Sequence, residues 1–225
     1  MNKQYFWDKK ILGWENDKYA LPQGWFHRVF DANRSLKYRQ LIARNILTQV
    51  VKGKSVLEIG CGTARLLPSI MEAGAAKYRG VDISPVAIEE AKIRHGHLLA
   101  RGNVELLPMN VAQIEKGDAE ICFSLGLLDW LELIEIREMV SRLNCEYYLH
   151  SFSERRPSAQ QWLHKLYVYL FYGHRTKTYV PRYYTHQQLI DIFTSFYGSP
   201  PAFFRSPLLS FGTFVHHLPG DLIFE

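Results

Sequence analysis

The stretch Ser55-Val-Leu-Glu-Ile-Gly-Cys-Gly-Thr-Ala-Arg-Leu-Leu67 constrains the fold of this chain more than any other. A β-branched and aliphatic run ends in an acid, Glu58, and two glycines follow one residue apart, Gly60 and Gly62. Such a run, leading into an apolar-periodic segment, reads as a buried parallel strand entering a helix. The glycines let the backbone turn sharply and approach a ligand closely, and a helix beginning near Thr63 would offer unpaired amide donors. The pattern suits a nucleotide-like ligand.

The spacing narrows the ligand. A dinucleotide fingerprint requires a third glycine three residues after the second, so that helix and strand close around a pyrophosphate. Arg65 stands there instead, and Glu58 at the strand end would repel a pyrophosphate. An acid suits an ammonium or sulfonium. A second acid, Asp82, lies 20 residues past Gly62 at the end of another apolar run, where a carboxylate can accept both hydroxyls of a ribose. Ribose plus cation, without phosphate, describes S-adenosylmethionine, with S-adenosylhomocysteine as its product.

Four segments, in order, resemble the class I S-adenosylmethionine-dependent methyltransferases: Glu58-Ile-Gly-Cys-Gly-Thr-Ala64, Gly80-Val-Asp-Ile-Ser-Pro85, Leu107-Pro-Met-Asn-Val111 and Ile121-Cys-Phe-Ser-Leu-Gly126. The resemblance covers roughly residues 50 to 150 and speaks to fold and cofactor more than to substrate. It implies an α/β fold, a three-layer Rossmann-like sheet in the order 3-2-1-4-5-7-6 with the last strand antiparallel. It also implies cofactor contacts from Cys61, Thr63, Ile83, Asn110, Val111, Ser124 and Leu125. Ala64 occupies a position that is often glycine, and Asn110 one that is usually aspartate, beside the adenine amine; an asparagine carbonyl still accepts from an amino group.

At 225 residues the chain suits one well-packed domain with an elaboration. We divide it into an N-terminal cap (1–33), a cofactor-binding core (34–152), a helical insertion (153–182), and a C-terminal helix and hairpin (183–225). A composition of 47% hydrophobic and 22% charged residues is that of an ordinary soluble globular protein. No stretch resembles a signal peptide or a membrane span, which points to the cytoplasm. Three cysteines fit neither a disulfide framework nor zinc spacing. Cys122 and Cys145 are read as buried thiols in strands.

The cap is dense in aromatics, among them Tyr5, Phe6, Trp7, Trp14, Tyr19 and Trp25, and is expected over the cofactor end of the sheet. From Asn33 to Val51 the spacing predicts a helix burying Leu36, Leu41, Ile42, Ile46 and Leu47, with Arg39, Arg44 and Asn45 outside. Ser84 and Pro85 start another helix, with Ala87, Ile88 and Ala91 buried and a Glu90–Arg94 pair outside. His95 and His97 at its end read as a solvent-facing pair, and no metal site is expected. Thr185 and Gln188 form a capping box for a helix to about Phe196. Two last strands are expected at Ala202 to Arg205 and Leu209 to His216. Residues 158 to 172 are apolar almost all round a helix, so they need cover from a partner subunit, a lipid or the cap. Between Ser151 and His186, six cations (Arg155, Arg156, Lys165, Arg175, Lys177, Arg182) face one acid, Glu154. That imbalance suits an anionic acceptor or a peripheral membrane or lipid contact.

Methyl transfer from a sulfonium mainly requires alignment and exclusion of water, and a base where the acceptor is a hydroxyl or ammonium. His150, near the end of the fifth strand, is the candidate base, because imidazole exchanges a proton near neutral pH. Asp129 and Trp130, after the fourth strand, are candidate acceptor contacts, with His186 and His217 as further candidates. The Asn/Asp-Pro-Pro-Tyr signature for amino groups of nucleobases or glutamine is absent from Leu127-Leu-Asp-Trp130, which argues against DNA. The expected reaction is methyl transfer to oxygen or nitrogen of a small, apolar or anionic molecule. The alternatives are RNA modification, favoured only by a pI near 9, an NAD-type oxidoreductase, and a non-catalytic cofactor-binding module. A homodimer is a further expectation from the apolar insertion.

Overall fold

The computed structural model describes residues 3–9, 32–115, 117, 119–157, 161–162, 181–209 and 211–223. Among the described residues seven strands are present: β1 (Ser55–Ile59), β2 (Lys77–Asp82), β3 (Val104–Pro108), β4 (Ile121–Ser124), β5 (Tyr147–Ser153), β6 (Ala202–Arg205) and β7 (Gly212–His217). They form one sheet in the order β3-β2-β1-β4-β5-β7-β6. The first five are parallel and β7 is antiparallel to both its neighbours, so the expected three-layer Rossmann-like topology is the observed one. Besides helical residues 3–9, the described residues include the helices α1 (Ala32–Leu47), α2 (Leu67–Glu72), α3 (Pro85–Arg94), α4 (Gly96–Leu99), α5 (Leu133–Arg142) and α6 (His186–Tyr197).

Alternation along the strands divides the core in two. Val56, Ile121, Phe123, Leu149 and Phe214 face the layer containing Ile42, Ile46, Leu67 and Ile88. Their neighbours Leu57, Ile59, Cys122, Tyr148, Phe152 and Val215 face Ile136, Met139, Leu189 and Phe193. Successive strand residues thus bury on opposite faces, as the two-residue period requires when helices cover both sides. Each fully buried large side chain contributes about 1.5–3 kcal/mol relative to exposure, and the parallel strands end together at one edge of the sheet.

Local signals set the helix ends. Ser84 accepts from the Ala87 amide at 3.2 Å and Pro85 follows in the first turn of α3. Thr185 and Gln188 exchange bonds of 3.3 and 3.0 Å across the first turn of α6, which stops at Gly198 with φ +73°. Glu90 and Arg94 pair at 3.1 Å.

Several expectations are corrected. The helix after the glycine loop begins at Leu67, not near Thr63, because residues 62–66 form turns and Ala64 adopts φ +52°. Pro68 consequently falls in its first turn. Arg39 is buried and Leu41 is 39% exposed, reversing their assignment within α1; the side chain of Leu36 lies outside those described. His97 is exposed, but His95 is buried with Nε2 3.2 Å from the Thr63 carbonyl oxygen, so the turn and the end of α3 are tied together. Cys145 is buried but precedes β5 rather than lying in it. The last strand starts at Gly212, three residues later than expected. Of the cap, residues 3–9 are described and helical. The apolar segment 158–172 lies outside the described residues except Gln161 and Trp162.

Candidate functional site

A cavity opens at the carboxyl ends of β1, β2 and β4, the edge where open α/β sheets bind ligands. Its floor is the glycine loop. The Gly60 and Cys61 amides donate to the Val81 carbonyl at 2.8 and 3.1 Å, bending the chain over the end of β2. Gly60 has φ +70°, and a Cβ there would lie 3.2 Å from Leu127 Cδ1, so a side chain would be both strained and crowded. Asp82 fixes the loop from the other side: Oδ2 accepts from the Gly62 amide and Oδ1 from the Ser84 amide, both at 2.9 Å. Glu58 is buried at the end of β1 and accepts a hydrogen bond from the Tyr78 hydroxyl.

Glu58, Gly60, Cys61, Gly62, Asp82, Ile83, Asn110, Val111 and Leu125 all line this cavity, together with Trp130. Thr63 and Ser124 do not. Thr63 Oγ1 accepts from Arg94 Nη1 at 2.8 Å, and Ser124 Oγ contacts His150 Nδ1 at 2.9 Å; both side chains are fully buried behind the site. Asn110 differs in what it offers. Its carbonyl oxygen, expected for an adenine amine, accepts from the Ala112 amide at 3.0 Å and caps a short 3₁₀ turn at Val111–Gln113.

Helical residues 3–9 form a roof. Ser84 Oγ donates to Asp8 Oδ1 at 2.6 Å, and Lys3 pairs with Glu135 at the start of α5. Between these ties, Trp7 packs edge-on against Trp130 at 5.1 Å between ring centroids, and Phe6 lies 5.7 Å from the same indole. Lys3 and Trp7 therefore line the cavity, and the aromatic residues hold apolar surface against whatever occupies it.

The sequence reading missed Arg39. Its side chain is 6% exposed, lines the cavity, and bonds through Nη1 to Asp129 Oδ2 at 3.1 Å, while Nε has no hydrogen-bond partner among the described residues. A buried guanidinium with spare donors suits a carboxylate. The signal was its spacing: positions 39, 42, 43 and 46 share one helix face, so a lone cation stood on an apolar stripe.

The other candidates lie away from the cavity. Asp129 is a structural hub: it takes Arg39 and accepts from the Ser153 amide at 2.5 Å and the Ser153 hydroxyl at 3.1 Å. His150 is fully buried between Tyr148 and Phe193, with ring centroids 5.9 and 5.8 Å away. Burial pushes its pKa down to about 3, because a charged imidazole there would lose its hydration. It does not line the cavity, and a pKa so low makes its imidazole a weak proton acceptor, so this geometry does not support a base there. His186 stacks on Phe203 at 3.9 Å, with Nε2 3.4 Å from Glu154 Oε1. His217, at the end of the antiparallel β7, is opposite Tyr148 at the amino-terminal end of β5, the far edge of the sheet. Among the described residues no group of side chains could hold a metal.

The residues fit S-adenosylmethionine better than a dinucleotide. Arg65 lines the cavity where a third glycine would be required, and buried Glu58 presents negative charge at the loop. Comparison with known proteins places the fold. Residues 56–144 match the family model described as a methyltransferase domain. Magnesium protoporphyrin IX methyltransferase from Synechocystis PCC 6803 with bound S-adenosylhomocysteine superposes with TM-score 0.68 at 18% identity, covering 95% of this chain and 96% of that one. Mitomycin 7-O-methyltransferase superposes with TM-score 0.60 at 14% identity, over 85% of this chain and 55% of that one. Ribosomal protein L11 methyltransferase of Clostridium botulinum is 37% identical over 67 residues, 30% of this chain and 21% of the relative. The match with the eEF1A lysine and N-terminal methyltransferase of Mus musculus is 33% over 87 residues, 37% of this chain and 12% of the relative. The matched segments thus span 21% and 12% of these two curated relatives.

Proposed function

We infer that this chain, a class I S-adenosylmethionine-dependent methyltransferase in fold and over residues 56–144, transfers a methyl group to an oxygen or nitrogen of a small molecule with an anionic or apolar body. The observation that carries this reading is the convergence of Glu58, the glycine loop and Asp82 on one cavity that also contains Arg39 and the Trp7–Trp130 wall. Glu58 offers a carboxylate to a cation, Asp82 to hydroxyls, and Arg39 a guanidinium to a carboxylate. The indoles exclude water. Bound S-adenosylmethionine supplies a methyl group on a sulfonium whose positive charge disappears as the acceptor attacks, so alignment does most of the work.

The acceptor class follows from what the cavity provides for proton removal. Among the described lining residues there is no histidine, and Glu135 is engaged by Lys3 and by the Glu132 amide at 2.8 Å. A carboxylate acceptor is already ionised and needs no base, and a phenol gives up its proton more readily than an aliphatic hydroxyl does. An RNA acceptor has less support. Of the cations expected to form a basic face, Arg156 pairs with Glu154 at 2.8 Å and Arg182 with Glu132 at 2.7 Å, whereas Arg155 is exposed. A peripheral membrane contact is a proposal resting on the six cations between Ser151 and His186 with the apolar sequence 158–172, and a homodimer one resting on that apolar sequence; among the described residues no helix is long and apolar enough to cross a membrane.

The test is transfer of radiolabelled methyl from S-adenosylmethionine to a panel of aromatic carboxylates and phenols, set beside total RNA and ribosomal protein. Labelling of small acids or phenols is expected. Label confined to RNA or protein would overturn the acceptor class while leaving the cofactor reading intact.

A further inference from the structure

Tyr78 enters the cavity only through another residue, and the sheet is locally rebuilt to let it do so. In the β1–β2 register Glu58 lies opposite Gly80, and Tyr78 opposite Val56. Gly80 therefore leaves an empty place beside the Glu58 side chain. A Cβ on Gly80 would lie 2.8 Å from Leu106 Cδ2, 3.1 Å from Cys61 Sγ and 3.1 Å from Tyr78 Cε1, so the phenol ring already occupies the space a side chain would take. From there the fully buried Tyr78 hydroxyl reaches diagonally along the strands to Glu58 Oε2. Diagonal neighbours of this kind lie within reach of a long aromatic side chain.

We propose that Tyr78 is a positioning residue for cofactor binding: its hydroxyl holds the Glu58 carboxylate ionised and turned toward the cavity, so that Glu58 can meet a cationic group. This rests on the reading that Glu58 contacts S-adenosylmethionine. A buried carboxylate tends to take up a proton, because burial disfavours its charged form. A hydrogen bond donated to the charged form opposes that tendency. Tyr78 supplies it without adding a charge of its own. Burial and the neighbouring Glu58 charge in turn raise the Tyr78 pKa well above its ordinary value, so the phenol keeps its proton. Among the described residues, the other charged or titratable groups that line this cavity are Cys61 and Arg65 of the loop, Asp82 of β2, Arg39 of α1, Lys3 of the roof and Glu135 of α5. None of them changes in the substitution below.

Tyr78→Phe removes the hydroxyl and keeps the ring that fills the space beside Gly80. Loss of a hydrogen bond to a buried charge raises the pH at which Glu58 takes up a proton, and affinity should then fall as pH falls. Calorimetry with S-adenosylmethionine and S-adenosylhomocysteine from pH 5.5 to 8.5, on wild type, Tyr78→Phe, Glu58→Gln and the double variant, reads this directly. Dividing each variant's affinity by that of wild type at the same pH cancels titration of the ligand's own amine. The expected loss for Tyr78→Phe is about tenfold at the acid end and about threefold or less at the alkaline end. Glu58→Gln should be weaker at every pH with a flat ratio, and the double variant should be no worse than Glu58→Gln alone. A pH-independent ratio for Tyr78→Phe, or additive losses in the double variant, would overturn the proposal and leave Tyr78 a packing residue. Wild-type affinity in Glu58→Gln would instead overturn the underlying assignment of Glu58, a distinct outcome. Thermal melts of the unliganded variants show whether each protein is folded over the same pH range.

Discussion

Replacing Glu154 with glutamine tests how the carboxyl edge of β5 is held. Glu154 follows β5 and is buried. Its carboxylate accepts from Arg156 Nε at 3.0 Å and Nη2 at 2.8 Å, from Arg205 Nε at 2.9 Å and from Thr213 Oγ1 at 2.9 Å. One side chain thus joins the end of β5 to β6 and β7. Burial alone would raise its pKa, but the bonds from Arg205, Arg156 and Thr213 outweigh it and hold the group at about 2, against an ordinary 4.5. That difference corresponds to at most about 3 kcal/mol of stability. The Arg205 side chain is 55% exposed, so water screens its share, and about 2 kcal/mol is the expected contribution. The sign follows from a depressed folded value. The contribution is full above pH 4.5, where the unfolded carboxyl is also ionised, and is lost as pH falls towards about 2. Urea unfolding of wild type and Glu154→Gln at pH 7, 5, 4 and 3 measures it. The variant should be less stable by about 2 kcal/mol at pH 7 and pH 5, and the gap should narrow at pH 4 and again at pH 3. A gap that stays constant down to pH 3 would refute the account of the Glu154 cluster.

Arg39→Met should remove about 3 kcal/mol of stability, because Asp129 keeps its burial and loses its cation, and should also weaken S-adenosylmethionine binding; a urea midpoint equal to wild type would remove the first role and an unchanged calorimetric affinity the second. His150 ring resonances should not titrate between pH 5 and 8 in nuclear magnetic resonance spectra, since its pKa is held to about 3. As its folded value is lowered, its contribution to stability is present above the ordinary 6.5 and declines as pH falls toward about 3. A midpoint near pH 6.5 would return it to the list of candidate bases.

The parts legible in the sequence were those where backbone geometry forces a residue type. Gly60 must bend the chain beneath Leu127, Asp82 must end β2 beside the loop, and both are visible as spacing. Ser84 with Pro85, and Thr185 with Gln188, marked helix starts because a cap is a local interaction. Side-chain direction was less legible. In β5 both faces are buried, so alternation does not tell whether His150 meets a ligand or Phe193. Arg39 and His95 looked exposed because cations and histidines usually are; each is instead satisfied by a distant partner, Asp129 and the Thr63 carbonyl, that spacing within one helix does not reveal. The delayed start of α2 has a similar origin, since Ala64 accepts a left-handed backbone that few alanines adopt.

The central claim, that Glu58, the glycine loop and Asp82 form one S-adenosylmethionine site, is tested most directly by calorimetry on the wild-type chain and on Asp82→Ala. The account predicts one-to-one binding of S-adenosylmethionine and S-adenosylhomocysteine, no binding of NAD, and an affinity lower by about 1–3 kcal/mol in Asp82→Ala. Tighter binding of NAD, or an affinity unchanged by Asp82→Ala, would contradict it.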